Sequence, residues 1–152
     1  MKFVTADNHF SHQNIIRYTG RPFRTVKQMD DTMIKNWNRV VHNNDIIYHL
    51  GDFCLGPDYK ARSIMRSLSG YKILILGNHD RSKQRMLDIG FNEVYNPPIW
   101  KEGVLMSHEP ILVTGKQTIN VGVDVNNFTP IRFPLRNDVV LCGHVHEKWK
   151  VR

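Results

Sequence analysis

Long apolar segments are missing from this sequence, and cysteine is scarce. No run approaches the ~20 residues that span a bilayer, and the start, MKFVTADNHF, reaches Asp7 too soon for a secretory signal peptide. We therefore expect a cytoplasmic protein without a membrane partner. Outside an oxidising compartment the only two cysteines, Cys54 and Cys142, are not expected to form a disulfide; they are predicted to be small buried apolar residues.

Internal repeats, low-complexity tracts and linkers are absent too. With 41% apolar and 23% charged residues, the composition excludes disordered, collagen-like and coiled-coil proteins. The 152 residues suit one domain, residues 1–152. A net charge of +7 favours anionic partners, but the basic residues are spread along the chain and are expected to be mostly solvated.

The first ninety residues alternate between strand and helix patterns. KFVTA, DIIYHL and YKILIL are typical of buried strands. Helices are predicted from the capping box Thr25–Gln28, from Gly56-Pro57 and over residues 81–89. This alternation predicts a parallel sheet covered by helices. The later runs GVLMS, TINVGVDV and DVVLCG predict a second group of strands, antiparallel or mixed.

Polar residues follow five of these apolar runs directly. They are Asp7 and His9; Asp52; Asn78, His79 and Asp80; His108; and His144 with His146. Taken alone, Asp-x-His and Asn-His-Asp are typical of turns, His108 is compatible with a strand cap, and His-x-His is compatible with a structural or a zinc-binding role. Ligands of open α/β sheets, however, bind beyond the carboxyl ends of the strands, so the five groups are predicted to converge.

Three histidines lie outside this pattern. His42 is predicted to lie on the surface and His49, inside DIIYHL, to be a hydrogen-bonded core residue. His12, close to His9, is compatible with either the site or the surface.

The types of side chain in the set indicate a class of metal. Imidazole, carboxylate and amide ligands without a thiolate suit manganese, iron, zinc, nickel or cobalt. Seven candidate ligands, namely Asp7, His9, Asp52, Asn78, His108, His144 and His146, are too many for one tetrahedral zinc ion. They suit two ions that share a bridging carboxylate and lie about 3.5–4 Å apart.

The order Asp-x-His, Gly-Asp, Gly-Asn-His-Asp, a later His and Gly-His-x-His resembles the calcineurin-like metallophosphoesterases, over Asp7 to His146. DNHFSHQNIIRYTGRPF and YHLGDF resemble their small, capless bacterial and phage members. The resemblance implies an α/β fold, a four-layer α/β/β/α sandwich of two mixed sheets flanked by helices. It assigns Asp7, His9 and His146 to one metal, Asn78, His108 and His144 to the other, and Asp52 to both.

The same resemblance implies a hydrolase acting on phosphate esters through a metal-bridging hydroxide, with Asp52 and His79 as catalytic residues. Of two divalent transition-metal ions, manganese is favoured; zinc, iron, nickel and cobalt remain open. The expected substrate is a nucleotide-type phosphodiester or a nucleic acid end. A non-catalytic binding or scaffold protein with this fold is the alternative. Arg21 and Arg24 are expected to be solvated, and no aromatic stacking platform is interleaved with the basic residues.

Two features depart from the family pattern. Some relatives carry a second aspartate, three residues after the bridging one, that orients the catalytic histidine; here Leu55 stands there, and Asp80 is one candidate to replace it. In small relatives a strand like INVGVDV follows the Gly-His-x-His turn, whereas here it precedes that turn. The path of the last strands is therefore open.

Overall fold

The larger of two sheets has five strands. The computed structural model describes residues 1–111, 113–121, 131–132 and 139–144. The strands of this sheet are β1 (Lys2–Thr5), β2 (Ile46–His49), β3 (Tyr71–Ile75), β4 (Glu93–Tyr95) and β8 (Ile131–Arg132), in the spatial order β4-β3-β2-β1-β8. β1 to β4 are mutually parallel and β8 runs antiparallel to β1.

Four helices connect the parallel strands: α1 (Ile15–Tyr18), α2 (Val26–Val40), α3 (Asp58–Ser67) and α4 (Lys83–Ile89). Thr25 caps α2 as predicted, because its hydroxyl accepts the Gln28 N–H at 3.1 Å. The Gln28 amide oxygen reaches one residue beyond the N-cap and accepts the Arg24 N–H at 3.0 Å, so the second bond of the predicted capping box goes to Arg24 instead of Thr25. The predicted apolar stripe of α2 is buried through Met29, Met33 and Trp37.

The second sheet is smaller and mixed. It contains β5 (Ile99–Lys101), β6 (Val104–Met106), β7 (Gln117–Asn120) and β9 (Val139–Cys142), in the order β5-β6-β9-β7. β5 and β6 are antiparallel, whereas β9 runs parallel to both β6 and β7. This confirms the predicted mixed second group of strands.

Successive side chains of each strand in the first sheet point to opposite faces, and each face packs against an apolar core. Phe3, Ile47 and Leu74 pack into the core beneath the helices. Their neighbours Val4, Tyr48 and Ile73 belong to the core shared with the second sheet. The layers are therefore helices, first sheet and second sheet, in agreement with the α/β sandwich of two mixed sheets. Within the described residues no helix follows α4, so the predicted fourth layer is not seen among them.

Several short elements have no counterpart in the sequence prediction. Helix α1 and strands β4, β5 and β8 contain two to four residues each, too few to show a period. Of the run INVGVDV, only its beginning lies in a described strand, β7, which pairs with β9; residues 122–130 lie outside the description. No described helix is long and apolar enough to cross a membrane.

Candidate metal centre

The loops after β1 and β2 run side by side past the ends of their strands. The Asp7 N–H donates to the Gly51 carbonyl at 3.0 Å, and the His9 N–H donates to the Asp52 carbonyl at 2.9 Å. The parallel pairing of the two strands therefore continues into the loops, and it brings Asp7, His9 and Asp52 to the same edge of the sheet.

The backbone at this edge is strained. Asp7, His9, Asp52 and His144 all have left-handed φ angles, between 50° and 68°. A non-glycine residue in this region costs roughly 1–3 kcal/mol unless its surroundings hold it there, and such residues cluster at functional sites. Four of the candidate ligands thus lie on turns that the fold maintains at an energetic cost.

Arg21 holds the β1 loop in this conformation. Its guanidinium donates to the carbonyl oxygen of Asp7 at 2.8 Å and to that of Asn8 at 2.7 Å. The side chain is only 8% exposed, so the expectation that Arg21 is solvated was wrong, whereas Arg24 is exposed as expected. On the other side of the loop, the Asn8 amide oxygen lies 2.6 Å from Nε2 of the buried His49.

Asp52 lies at the middle of the cluster. Its Oδ2 is 3.4 Å from Nε2 of His9 and equally 3.4 Å from Nε2 of His108. One ligand atom from each of Asp7, Asp52 and His108 lies within 4.8 Å of the others, and all three residues are buried. These three form a candidate metal site by themselves.

Asn78 and His144 lie against the same ring nitrogen of His108 that faces Asp52. The Asn78 amide oxygen lies 2.9 Å from Nε2 of His108 and 3.2 Å from Nδ1 of His144, and these two ring nitrogens are 3.2 Å apart. Nδ1 of His108 donates to the Leu50 carbonyl at 2.8 Å. Because a carbonyl only accepts, Nε2 is the ring nitrogen that faces the cluster, and in the neutral form of His108 its lone pair points there, as a metal-binding histidine requires.

The buried carboxylates of the cluster are electrostatically unfavourable by themselves. Burial, opposed by His108 and assisted by the neighbouring Asp52, raises the pKa of Asp7 to about 7. Burial also disfavours the charged form of Asp52, but hydrogen bonding to His108 outweighs it and lowers the pKa of Asp52. Two buried carboxylates that repel one another fit a divalent cation, which would remove the repulsion.

Two glycines make room for the carboxylates. A methyl group on Gly77 would collide with the Asp52 carboxylate, and one on Gly143 would lie 2.7 Å from Oδ2 of Asp7. The Gly143 position also lets the next residue, His144, donate its N–H to both Asp7 oxygens, at 3.1 and 2.9 Å. The glycines that precede Asn78 and His144 are therefore steric requirements of the site.

His79 lies at the exposed rim of the cluster. Its backbone N–H donates to Oδ1 of Asp52 at 3.0 Å, and its ring centroid is 5.8 Å from that of His9. Asp80 does not replace the aspartate missing at Leu55: its carboxylate accepts the backbone N–H groups of Asp52, Phe53 and Gly77 at 2.9–3.0 Å. Asp80 therefore ties the second and third loops together.

The structure brings together six of the seven predicted ligands; His146 lies outside the described residues. His49 is buried and hydrogen-bonded and His42 is exposed, both as predicted. His12 lies next to the site, its ring 5.5 Å from that of His9, and burial lowers its pKa. Sequence reasoning missed Arg21 and Asn8, since neither carries a local signal. The glycines before the turns of Asn78 and His144 were the sequence feature that indicated close backbone packing at the site.

The cysteines agree with their prediction. Cys54 and Cys142 are both free and buried, and burial raises the pKa of the Cys54 thiol to about 11 and that of Cys142 to about 12. Neither is among the candidate ligands.

Comparison with known proteins identifies the family. The family model for calcineurin-like phosphoesterases matches residues 3–122. An uncharacterized protein of Methanocaldococcus jannaschii is 34% identical over 163 aligned positions, which cover 94% of this chain and 93% of that protein. The gene 66 protein of Mycobacterium phage L5 is 32% identical over 81 positions, covering 51% of this chain and 39% of the phage protein.

A solved structure agrees with this relationship. The crystal structure of a protein of unknown function from Aquifex aeolicus superposes with a TM-score of 0.60 at 34% identity, covering 72% of this chain and 61% of that one. Family match, relatives and site geometry point the same way, and the family implies divalent metal ions and phosphate-ester chemistry. The chain belongs to the calcineurin-like phosphoesterase family.

Proposed function

We propose that the protein is a dinuclear metal-dependent phosphoesterase that hydrolyses nucleotide-type phosphodiesters. The observation that carries this proposal is the position of Asp52. Its Oδ2 is equidistant, at 3.4 Å, from Nε2 of His9 and Nε2 of His108, and these two histidines belong to the two different ligand sets. This position supports a bridging role, in which the carboxylate of Asp52 would be shared by two ions bound on either side.

The two sets differ in their donors. Asp7 and His9 would hold one ion together with His146, whose assignment rests on the Gly-His-x-His motif. Asn78, His108 and His144 would hold the other. Divalent ions bound there would supply Lewis-acid polarisation of the phosphate and a water of lowered pKa.

The charge of the site supports an anionic substrate. Two divalent ions carry four positive charges, and Asp7 and Asp52 offset only two of them. The amide of Asn78 adds no negative charge, so the loaded site stays positive. Manganese is our first choice for the metal, with zinc, iron, nickel and cobalt as the alternatives, because the donors are oxygen and imidazole nitrogen rather than thiolate.

His79 is placed to act on the leaving group. Its side chain is exposed at the rim, and its backbone is fixed by the hydrogen bond from its N–H to Asp52. An imidazole there can donate a proton to the departing alkoxide, or neutralise its charge, without being a ligand itself. We therefore assign His79 as the general acid.

The surroundings of the site support a diester. Asn78, His79 and His144 are exposed, so one edge of the cluster is open. Beside Asn78 and His108 lies a cavity of about 410 Å³, walled largely by Leu76, Pro97, Pro98, Pro110 and Ile111. A phosphodiester has two substituents, and one of them could occupy this cavity while the other leaves past His79.

A panel of metals and substrates tests the proposal. The metal-free protein, loaded in turn with Mn, Zn, Ni, Co, Fe or Mg, would be assayed on phosphomonoesters, phosphodiesters, cyclic nucleotides and short nucleic acids. We expect hydrolysis with at least one transition metal, fastest on diesters, and its loss in Asp52→Asn. Asp88→Asn, at an exposed position, is the matched control. Full activity of Asp52→Asn would refute the mechanism, and no turnover with any metal would favour the scaffold alternative.

A further inference from the structure

A row of aromatic rings leads from the candidate metal centre to the protein surface. The ring of His9 lies 5.8 Å from that of His79 on one side and 5.5 Å from that of His12 on the other. The ring of Tyr18, on helix α1, lies 6.2 Å from that of His12, nearly perpendicular to it at 78°. The row therefore begins at the proposed general acid and ends at Tyr18.

Tyr18 is the outer end of this row and is open to solvent. Its side chain is 72% exposed, although helix α1 itself is anchored by the buried residues Ile15 and Ile16. A single exposed tyrosine is ordinary on a protein surface. What distinguishes Tyr18 is its edge contact with a half-buried histidine that in turn touches a proposed metal ligand.

His12 is held in this row by its loop and by ring contacts. Its backbone N–H donates to the His9 carbonyl at 3.2 Å, and its carbonyl accepts the Ile15 N–H at 3.3 Å. Its Nδ1 is buried without a hydrogen-bond partner among the described residues. His12 has no part in the two ligand sets, so the proposed mechanism leaves its position beside His9 unexplained.

We propose that Tyr18 and His12 form a binding subsite for the planar base of a nucleoside attached to the scissile phosphate. Two ring-to-ring steps, of 5.5 and 6.2 Å, separate His9 from Tyr18, a span that a ribose and its base can bridge. Aromatic side chains hold bases by stacking on their faces, whatever the base. The subsite lies on the His9 side of the cluster, whereas the cavity of Pro97 and Pro98 lies on the Asn78 side.

This inference rests on the proposed function, since it assumes that a phosphate ester binds at the cluster. It adds a substrate contact that the sequence did not indicate, since no stacking platform is interleaved with the basic residues. Tyr18 and His12 come together only when α1 folds against the β1 loop.

The test measures binding, so it does not depend on turnover. Non-hydrolysable phosphonate analogues of adenosine monophosphate and of ribose 5-phosphate would be titrated calorimetrically into the protein in the presence of Mn²⁺. The ratio of the two dissociation constants isolates the contribution of the base. Stacking is worth about 1–3 kcal/mol per base, so we expect the adenosine compound to bind at least about 5-fold more tightly.

Three variants locate that contribution. Tyr18→Ala should abolish the preference for the adenosine compound, while Tyr18→Phe, which keeps the ring, should retain it. Tyr71→Ala is the control, because Tyr71 is a partly exposed tyrosine at the start of β3, the end opposite to the site; it should behave as the wild type. Equal binding of the two analogues by the wild type, or an unchanged preference in Tyr18→Ala, would overturn the subsite.

The two proposals fail in different ways. If no metal supports hydrolysis, the phosphoesterase assignment fails while the base preference can still be measured. If hydrolysis occurs but the base preference is absent, only the subsite is wrong.

Discussion

Asp7 should make the metal-free protein less stable as the pH rises, because its carboxyl group is buried in a site built for a cation. Its pKa is raised from 3.8 to about 7 by burial, with a further contribution from Asp52. Between these two values the native protein keeps a proton that the unfolded chain has lost. A native state that binds more protons loses stability as the pH rises.

The size of this effect follows from the shift. One pKa unit corresponds to about 1.4 kcal/mol, so Asp7 should cost the metal-free protein on the order of 4 kcal/mol above pH 7, relative to pH 4 and below. His108 acts in the same direction at higher pH. Burial disfavours its charged form, but hydrogen bonding to Asp52 outweighs this and raises its pKa, so the stability it adds when protonated is lost as the pH rises.

Urea denaturation of EDTA-treated protein at several pH values between 5 and 8, followed by tryptophan fluorescence, measures this dependence. Asp7→Asn removes the charge and keeps an oxygen that can accept the His144 N–H, now bonded to the Asp7 carboxylate. The free energy of unfolding of this variant should fall much less with rising pH, and the variant should be more stable than the metal-free wild type at pH 8. Asp88→Asn, with its exposed carboxyl group, should follow the wild type.

Added metal should reverse the trend. Ligands must be deprotonated to bind, so saturating Mn²⁺ should stabilise the wild type increasingly from pH 5 to pH 8 and should do little for Asp7→Asn. Burial lowers the pKa of His49 from 6.5 to about 3, so the neutral form of this histidine opposes the decline at the lower pH values in the wild type and in the variant alike. The difference between the two proteins is therefore the test, and the reasoning is refuted if Asp7→Asn shows the same dependence of stability on pH as the metal-free wild type.

Two further predictions concern residues around the ligands. His79→Ala should lower kcat by about 10²-fold or more, the usual contribution of a general acid, while metal content measured by elemental analysis stays at the wild-type level; a loss of metal would make His79 a ligand instead. Arg21→Lys keeps the charge but loses the fork that binds two carbonyls, so urea denaturation should show a loss of about 2 kcal/mol and calorimetry a weaker affinity for Mn²⁺. Arg24→Lys, at an exposed position, should change neither.

Much of the fold could be predicted because the relevant signals are local. The strands β1, β2 and β3 are short apolar runs, and α2 carries both its cap and its stripe of Met29, Met33 and Trp37 within fifteen residues. Elements of two to four residues, such as α1 and β8, are too short for such a pattern. They form because neighbouring strands and helices offer them partners, which a sequence does not display.

The candidate site divides in the same way. The residues after each strand could be identified because the carboxyl ends of parallel strands meet at one edge. The burial of Arg21 could not, because an arginine between glycine and proline looks like a surface residue until the carbonyls of Asp7 and Asn8 are placed around it. The role of Asp80, one candidate to orient His79, could not be decided from the sequence either, since the three backbone N–H groups that its carboxylate accepts surround it only in the folded chain.

The sequence alone thus determined the identity and order of the candidate ligands and the strands that carry them, since these depend on residue type and local periodicity. Tertiary structure alone decided how those residues face one another. The position of Asp52 between His9 and His108, the direction of the His108 lone pair, the guanidinium that holds the β1 loop and the contact of Tyr18 with His12 all join residues that are distant or unpatterned in sequence. They exist because backbone hydrogen bonds between neighbouring loops fix those side chains in space.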